Sequence, residues 1–334
     1  MPIVTQRWAS TGKVRFHWSW FAGTFSLIII AVAAFTLWRI SREISPAGVA
    51  AALIAQPPLA LLFAGIFVVC GYLMLGCYDA FALQAIGCRH VPFRVAALGS
   101  FTSYTVGHNC GATVLTSGLI RYRIYGCWGL GVGDIARIAV ITGMTYCLGN
   151  GLVLGFGFLA VPDAAGAIDR LPAVLNRLMG AGCLLALAAY VLWLKQRPRA
   201  IGRAGWKLVL PGLRMTLLQI GIGAAELVCV ALAMYALLPA EPRVGLLAFT
   251  VIFVAAMLLG VASYVPGSVG VLEAAMFIAL PQLNREQLLA SLLTFRVLYF
   301  LLPLLMAAGL LGVRELRLMI AAARPKKLLL SGRK

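Results

Sequence analysis

Charged residues are absent from long stretches of this chain, and that absence sets its fold class. Phe16 to Trp38, Ile138 to Pro162 and Val244 to Leu272 contain no Asp, Glu, Lys or Arg, and Leu178 to Leu194 is a shorter run of the same kind. A helix needs roughly 20 apolar residues to cross a hydrocarbon core. These runs are apolar on every side, whereas barrel strands would alternate, so they predict helices. Six spans read clearly, at about 20–38, 58–83, 136–160, 175–194, 213–238 and 286–312. The stretch from Ser45 to Pro57 is shorter, ends at Pro57-Pro58 and suits an interfacial helix. Two further segments, 95–120 and 245–281, are apolar but interrupted at their midpoints by glycines and polar residues. Irregular backbone is tolerated at that depth only where it is buried in protein or lines a polar cavity. The expected fold is an all-α integral membrane protein with about six full spans plus two broken or re-entrant hairpins, or eight spans if each hairpin counts as one.

The two interrupted segments echo each other. Ser103-Tyr104-Thr105-Val106-Gly107 precedes Gly111, and Ser263-Tyr264-Val265-Pro266-Gly267 precedes Gly270. Each follows two spans and precedes one, so the chain parses as two copies of span, span, broken hairpin, span, at about 20–160 and 175–312. Basic residues orient the copies. If each hairpin enters and leaves by one face, 21 of the 28 Lys and Arg fall on one side of the membrane and 6 on the other, with Arg296 inside a span. Positive residues favour the cytoplasmic side. The basic tails 1–19 and 313–334 and the Lys195 to Arg214 loop are therefore expected inside, and 161–174 outside. The second copy then runs opposite to the first, an inverted-topology repeat of the kind that many secondary transporters use around a midplane site.

Composition agrees, with 62% hydrophobic and 11% charged residues. The formal charge of +18 lies in segments between spans, which fits topology and attraction to anionic headgroups and not nucleic-acid binding. Arg7, Lys13 and Arg15 precede a first apolar run too long for a signal peptide, so that run is expected to be a retained span. The eight cysteines form no CxxC pair and His17, His90 and His108 are dispersed, so neither a metal nor a cofactor is expected. G-x-S-x-G, H-E-x-x-H and P-loop motifs are absent, which weighs against enzymatic activity and leaves an intramembrane enzyme acting on a lipid headgroup as an alternative to transport.

Four charges sit well inside apolar runs: Asp79, Glu226, Glu273 and Arg296. Burial there costs about 2.5–3.5 kcal/mol each on insertion scales, so such groups face a bundle interior or a wet cavity. Glu273 and Arg296 suit either a structural ion pair or substrate contact, and Asp79 and Glu226 a structural role. Arg121 and Arg123, beside Tyr122 and Tyr125, suit either positive-inside anchoring or bidentate binding of a lipid phosphate. Side chains at i and i+2 converge only if the backbone is extended, because on a helix they diverge by roughly 200°. Tyr104, His108 and Asn109 place polar groups at the first hairpin as candidate lipid-headgroup contacts, His108 and Asn109 suiting hairpin packing as well, and Gly107 and Gly267 mark the two interruptions. Asp134 and Arg137 open the next span as a helix-start feature.

Five segments carry a family resemblance: Gly76-Cys77-Tyr78-Asp79, Ser117-Gly118-Leu119-Ile120-Arg121-Tyr122-Arg123-Ile124-Tyr125, Trp128-Gly129-Leu130, Gly133-Asp134-Ile135-Ala136-Arg137-Ile138 and Val265-Pro266-Gly267-Ser268-Val269-Gly270-Val271-Leu272-Glu273. In this order, over about 60 to 312, they resemble the integral-membrane region of bacterial lysylphosphatidylglycerol synthase/flippases, the multiple peptide resistance factors. The resemblance implies a flippase-like domain that brings aminoacylated phosphatidylglycerol to the outer leaflet. Full-length members add a soluble synthase domain, whereas this chain ends about 22 residues after its last span, so synthase activity is not expected. Stand-alone relatives occur beside genes for other lipids, including hopanoids. The expected partners are membrane lipids, above all anionic phospholipid; the alternative to lipid transport is a non-transporting membrane subunit that scaffolds a separate lipid-modifying enzyme.

Overall fold

The computed structural model describes Phe35, Trp38 and residues 45–110, 113–196, 200–201 and 208–323. Apart from Phe35 and Trp38, the N-terminal tail and expected first span lie outside the described residues, as do much of the basic loop after Gln196 and the chain beyond residue 323. The helices are α1 (Pro46–Ile54), α2 (Pro58–Ala85), α3 (Phe93–Cys110), α4 (Thr113–Tyr125), α5 (Val132–Ala160), α6 (Pro162–Asp169), α7 (Ala173–Gln196), α8 (Leu213–Ala236), α9 (Leu246–Ala262), α10 (Val271–Ala279), α11 (Arg285–Phe295) and α12 (Leu302–Ala323). A π-helical segment, Arg296–Leu301, joins α11 to α12 without a break in the rod. The only strands among the described residues are the two-residue partners β1 (Ala200–Ile201) and β2 (Leu208–Val209). Five helices, Pro58–Ala85, Val132–Ala160, Ala173–Lys195, Leu213–Ala236 and Arg285–Arg317, are long and apolar enough to cross a membrane.

Proline and capping chemistry place the first boundaries. Ser45 caps α1, its Oγ accepting from the Gly48 N–H at 3.1 Å, and its own N–H donates to Glu286 Oε1 at 3.1 Å. Pro57 and Pro58 then stop α1 and start α2. The expected short helix between 45 and 57 is thus pinned to the start of α11.

Small residues let the central spans meet. A Cβ on Gly149 of α5 would lie 2.5 Å from the Gly223 carbonyl carbon of α8, so only two glycines allow this crossing. Gln219 Nε2 donates to Thr145 Oγ1 at 2.8 Å beside it. Close backbone approach with a buried polar bridge is how helices associate when lipid offers no hydrophobic drive between them.

The connecting segments sort onto two ends of the bundle. At one end, Leu194, Leu208 and Leu210 pack with Leu83, Ile124, Leu130 and Ile135, and Arg314 Nη2 donates to the Arg123 carbonyl. At the other, Ala164, Ile168, Leu237, Leu280 and Leu283 share a cluster, and Ser291 Oγ donates to the Leu237 carbonyl at 2.5 Å. The first hairpin, α3 and α4, starts and finishes at the first end. The second, α9 and α10, starts and finishes at the other. At 1.5 Å per residue their arms are about 27 and 20 Å and about 26 and 14 Å long, so each hairpin has one arm too short to cross.

The echo between the hairpins is not an echo of conformation. Ser103 to Gly107 is continuous helix, and the first hairpin turns later, between Cys110 and Thr113. In the second copy Pro266 removes an N–H and pushes Val265 out of helical geometry. The backbone then takes left-handed values at Tyr264 (φ 57), Gly267 (φ 60), Ser268 (φ 52) and Gly270 (φ 82).

The end carrying Lys195 is expected in the cytoplasm and the end carrying Leu171 outside. In a cysteine-free background, an impermeant thiol reagent on intact cells should label Leu171→Cys and leave Lys195→Cys unlabelled. The reverse pattern would overturn the orientation.

Candidate functional site

Arg121 and Arg123 do not converge. The backbone from Thr113 to Tyr125 is helical, not extended, so the two side chains leave opposite faces of α4. Arg121 is buried against α2: its Nε lies 2.9 Å from Asp79 Oδ2 and its Nη2 2.8 Å from Oδ1. Asp79 has no exposed surface and also accepts from the Tyr125 hydroxyl at 2.7 Å. Ser117 Oγ takes Arg121 Nη1 at 3.4 Å, and the guanidinium carbon lies 5.2 Å from the Tyr104 ring centroid. This fork clamps the first hairpin to α2. Arg123 instead reaches the surface and pairs with Glu315 of α12, Nη2 to Oε2 at 2.6 Å. A joint phosphate fork of the two arginines is therefore not formed, because helical spacing turns one inward and one outward.

Arg296 and Glu273 are brought together at the broken second hairpin. Arg296 Nε donates to Glu273 Oε1 in a very short contact, and Nη2 reaches Oε2 at 2.8 Å. The same guanidinium donates from Nη1 to the Gly267 carbonyl at 2.7 Å and from Nη2 to the Ser268 carbonyl at 3.2 Å. Glu273 Oε2 also accepts from the Gly270 N–H at 2.8 Å, closing the first turn of α10. The backbone polar groups freed by Pro266 and the left-handed residues thus find partners inside the protein, as their depth demands.

The π-helical segment has a local cause. Pro303 cannot donate to the carbonyl four residues back, that of Tyr299. The Tyr72 hydroxyl from α2 donates to this carbonyl at 2.9 Å. Next to it the Phe300 carbonyl accepts from Asn109 Nδ2 at 3.3 Å, and the same amide reaches the Thr105 carbonyl at 2.8 Å. Asn109 therefore ties the end of the first hairpin to the rod that holds the second.

Between the two hairpins lies a cavity of ≈ 40 Å³ lined by Tyr104, His108, Thr113, Tyr146, Glu226, Ser268, Tyr299 and Phe300 among others. Glu226 Oε2, His108 Nδ1 and the hydroxyl of neighbouring Tyr78 are buried without a hydrogen-bond partner in the described structure. The Tyr104 ring packs edge-on against both Tyr78 and His108, at 5.6 and 5.8 Å between centroids. Gly107 brings α3 against Thr113 of α4, whose Oγ1 donates to the Gly107 carbonyl at 3.3 Å. Asp134 and Arg137 lie apart from this centre, paired at 3.0 Å, with Asp134 Oδ2 accepting from the Gly131 N–H at the start of α5.

Sequence reasoning gave no site role to Tyr72, Tyr78, Tyr146 and Tyr299, although Tyr78 stands in one of the segments that carry the resemblance. A signal existed: tyrosine normally concentrates at membrane interfaces, and these four lie within spans at positions away from their ends.

The two arginines are expected to respond differently to lysine. Arg121→Lys keeps the charge but loses the fork and leaves Asp79 imperfectly paired in the interior, with an expected cost of about 1.5–3 kcal/mol. Arg123→Lys keeps a screened surface pair and should leave stability unchanged. Thermal unfolding of the purified variants in detergent checks both, and equal unfolding temperatures would contradict the assignment.

No family model matches the chain. It is similar to an uncharacterised protein of Synechocystis sp. (strain ATCC 27184 / PCC 6803 / Kazusa), 29% identical over 248 residues that cover 73% of this chain and 76% of the relative. It is also similar to the inner membrane protein YbhN of Escherichia coli (strain K12), 29% identical over 316 residues, 90% of this chain and 91% of the relative. With its apolar spanning helices and a polar centre closed from within, the chain is an all-helical integral membrane protein, similar over most of its length to a protein of the bacterial inner membrane.

Proposed function

We propose that the protein moves or positions an anionic phospholipid, as a flippase-like lipid transporter. One observation carries this reading: an apolar groove and the polar cavity share a wall. The groove, of ≈ 790 Å³, runs between α2, α3 and α12 and is lined by Leu61, Gly65, Val69, Phe101, Leu298 and Leu310 among others. Tyr72 lines it, and its hydroxyl ends on the Tyr299 carbonyl beside the cavity. A molecule with a long apolar part and a polar head matches such a pair of spaces.

Charge favours an anionic head. Phe93 lines the groove near the basic end of the bundle, and Arg94 follows it, exposed on the first turn of α3. Arg317 is exposed on α12, beyond groove-lining Leu310. Planar guanidinium groups suit phosphate. The headgroup contact is accordingly placed at these exposed arginines and not at Arg121, whose donors Asp79 and Ser117 occupy. The resemblance to flippase domains points the same way. The reaction is movement without covalent change, so the protein's own contribution is a path with matched polarity.

Gly65 provides the test, since nothing lies within 4 Å of a Cβ built there. Gly65→Phe should fold like the parent while its ring fills the groove. In vesicles containing phosphatidylglycerol, transfer of labelled phosphatidylglycerol between leaflets should fall at least about tenfold, equivalent to about 1.4 kcal/mol. Unchanged transfer, or none by the parent protein, would contradict the reading.

A further inference from the structure

Membrane-embedded charges elsewhere in this bundle come in pairs. Asp79 is bound by Arg121 and Glu273 by Arg296. Glu226 of α8, only 4% exposed, has no such partner among the described residues, and its Oε2 accepts no hydrogen bond from them. A structural polar group at this depth would be satisfied. An ionised carboxylate left unpaired there is among the costliest of buried groups.

Among the described residues, its surroundings supply no counter-charge. From α2, Tyr72 and Tyr78 lie within electrostatic range, and Tyr146 and Tyr299 approach from α5 and the π-helical segment. Tyr299 and Glu226 line the same cavity. Cys229 follows on the same helix, with Cys70 beside it. Across the cavity stand Tyr104 and His108, whose Nδ1 is also unpartnered, and α9 contributes only apolar side chains. The cavity rim carries Tyr264, 65% exposed, so an opening of the second hairpin would bring water to Glu226.

We infer that Glu226 is a proton-carrying site that couples lipid movement to protons. With the centre closed, one proton sits on the carboxyl group, which is then neutral. When the hairpins part and water enters, the proton leaves to water and the carboxylate forms. No other bond changes, and the cycle closes when the group takes a proton from water on the other side. This rests on the lipid-moving reading, but the binding of the proton is measurable without it.

Infrared difference spectra between acid and alkaline pH, on protein in nanodiscs, should contain a protonated-carboxyl C=O band. Glu226→Gln, which matches the neutral acid in shape, should lose that band, while Asp134→Asn should keep it. Tyr299→Phe removes the phenol beside the carboxyl and should move the midpoint of the band's pH dependence. In vesicles, an imposed pH gradient should speed labelled phosphatidylglycerol transfer by the parent severalfold and leave Glu226→Gln unaffected. A band indifferent to both Glu226→Gln and Tyr299→Phe, or equal gradient responses in parent and variant, would overturn the proposal, as would stimulation by sodium in place of protons. If the parent moves no lipid, the function reading fails and the infrared band alone decides the proton site.

Discussion

A hydrocarbon core offers no hydrogen bonds, and the guanidinium of Arg296 is what allows this chain to break its backbone there. One side chain serves the Gly267 and Ser268 carbonyls and both oxygens of Glu273, which in turn holds the Gly270 N–H. Lysine could not do this, because an ammonium group on a flexible stem lacks the planar fork. The cost of placing an arginine in the bilayer is offset by a carboxylate and two carbonyls that would otherwise be unpartnered themselves.

Much of the remaining architecture extends from the same rod. Arg296 opens the π-helical segment, Pro303 frees the Tyr299 carbonyl, and Tyr72 of α2 takes it. Asn109 of the first hairpin takes the next carbonyl. Both hairpins and α2 thus meet on a single irregular stretch of six residues. Irregular helix geometry often marks functional sites, and here it borders both the polar cavity and the apolar groove. The first hairpin has its own anchor, since Arg121 and Asp79 bind it to α2 without help from the second. The two clamps leave Glu226 between them as the one embedded acid with no base among the described residues.

The long spans were legible because length and apolarity suffice to specify them: the expected 58–83 and 213–238 are helices Pro58–Ala85 and Leu213–Ala236. The existence of two hairpins was legible from their glycines and polar residues. Their conformations were not, because Ser103 to Gly107 and Ser263 to Gly267 differ at two positions, of which Pro266 in place of Val106 is the decisive one. The partnership of Glu273 with Arg296 was open to sequence reasoning as one of two alternatives, since both are charges that hydrocarbon forces to find company. That of Arg121 was hidden: it depends on α4 being helical through Tyr125, which aims Arg121 at a helix 42 residues away in sequence. The tyrosines around Glu226 escaped notice because each is an ordinary residue in its own span, and only packing makes them a group.

Arg296 holds the break of the second hairpin and, through the π-helical segment, the end of the first. Amide hydrogen exchange of Arg296→Lys in nanodiscs tests it most directly. Faster exchange is expected at Gly267 to Glu273, with a smaller rise at Thr105 to Cys110 and no change in α7. Exchange that matches the parent across 265–273 would contradict it.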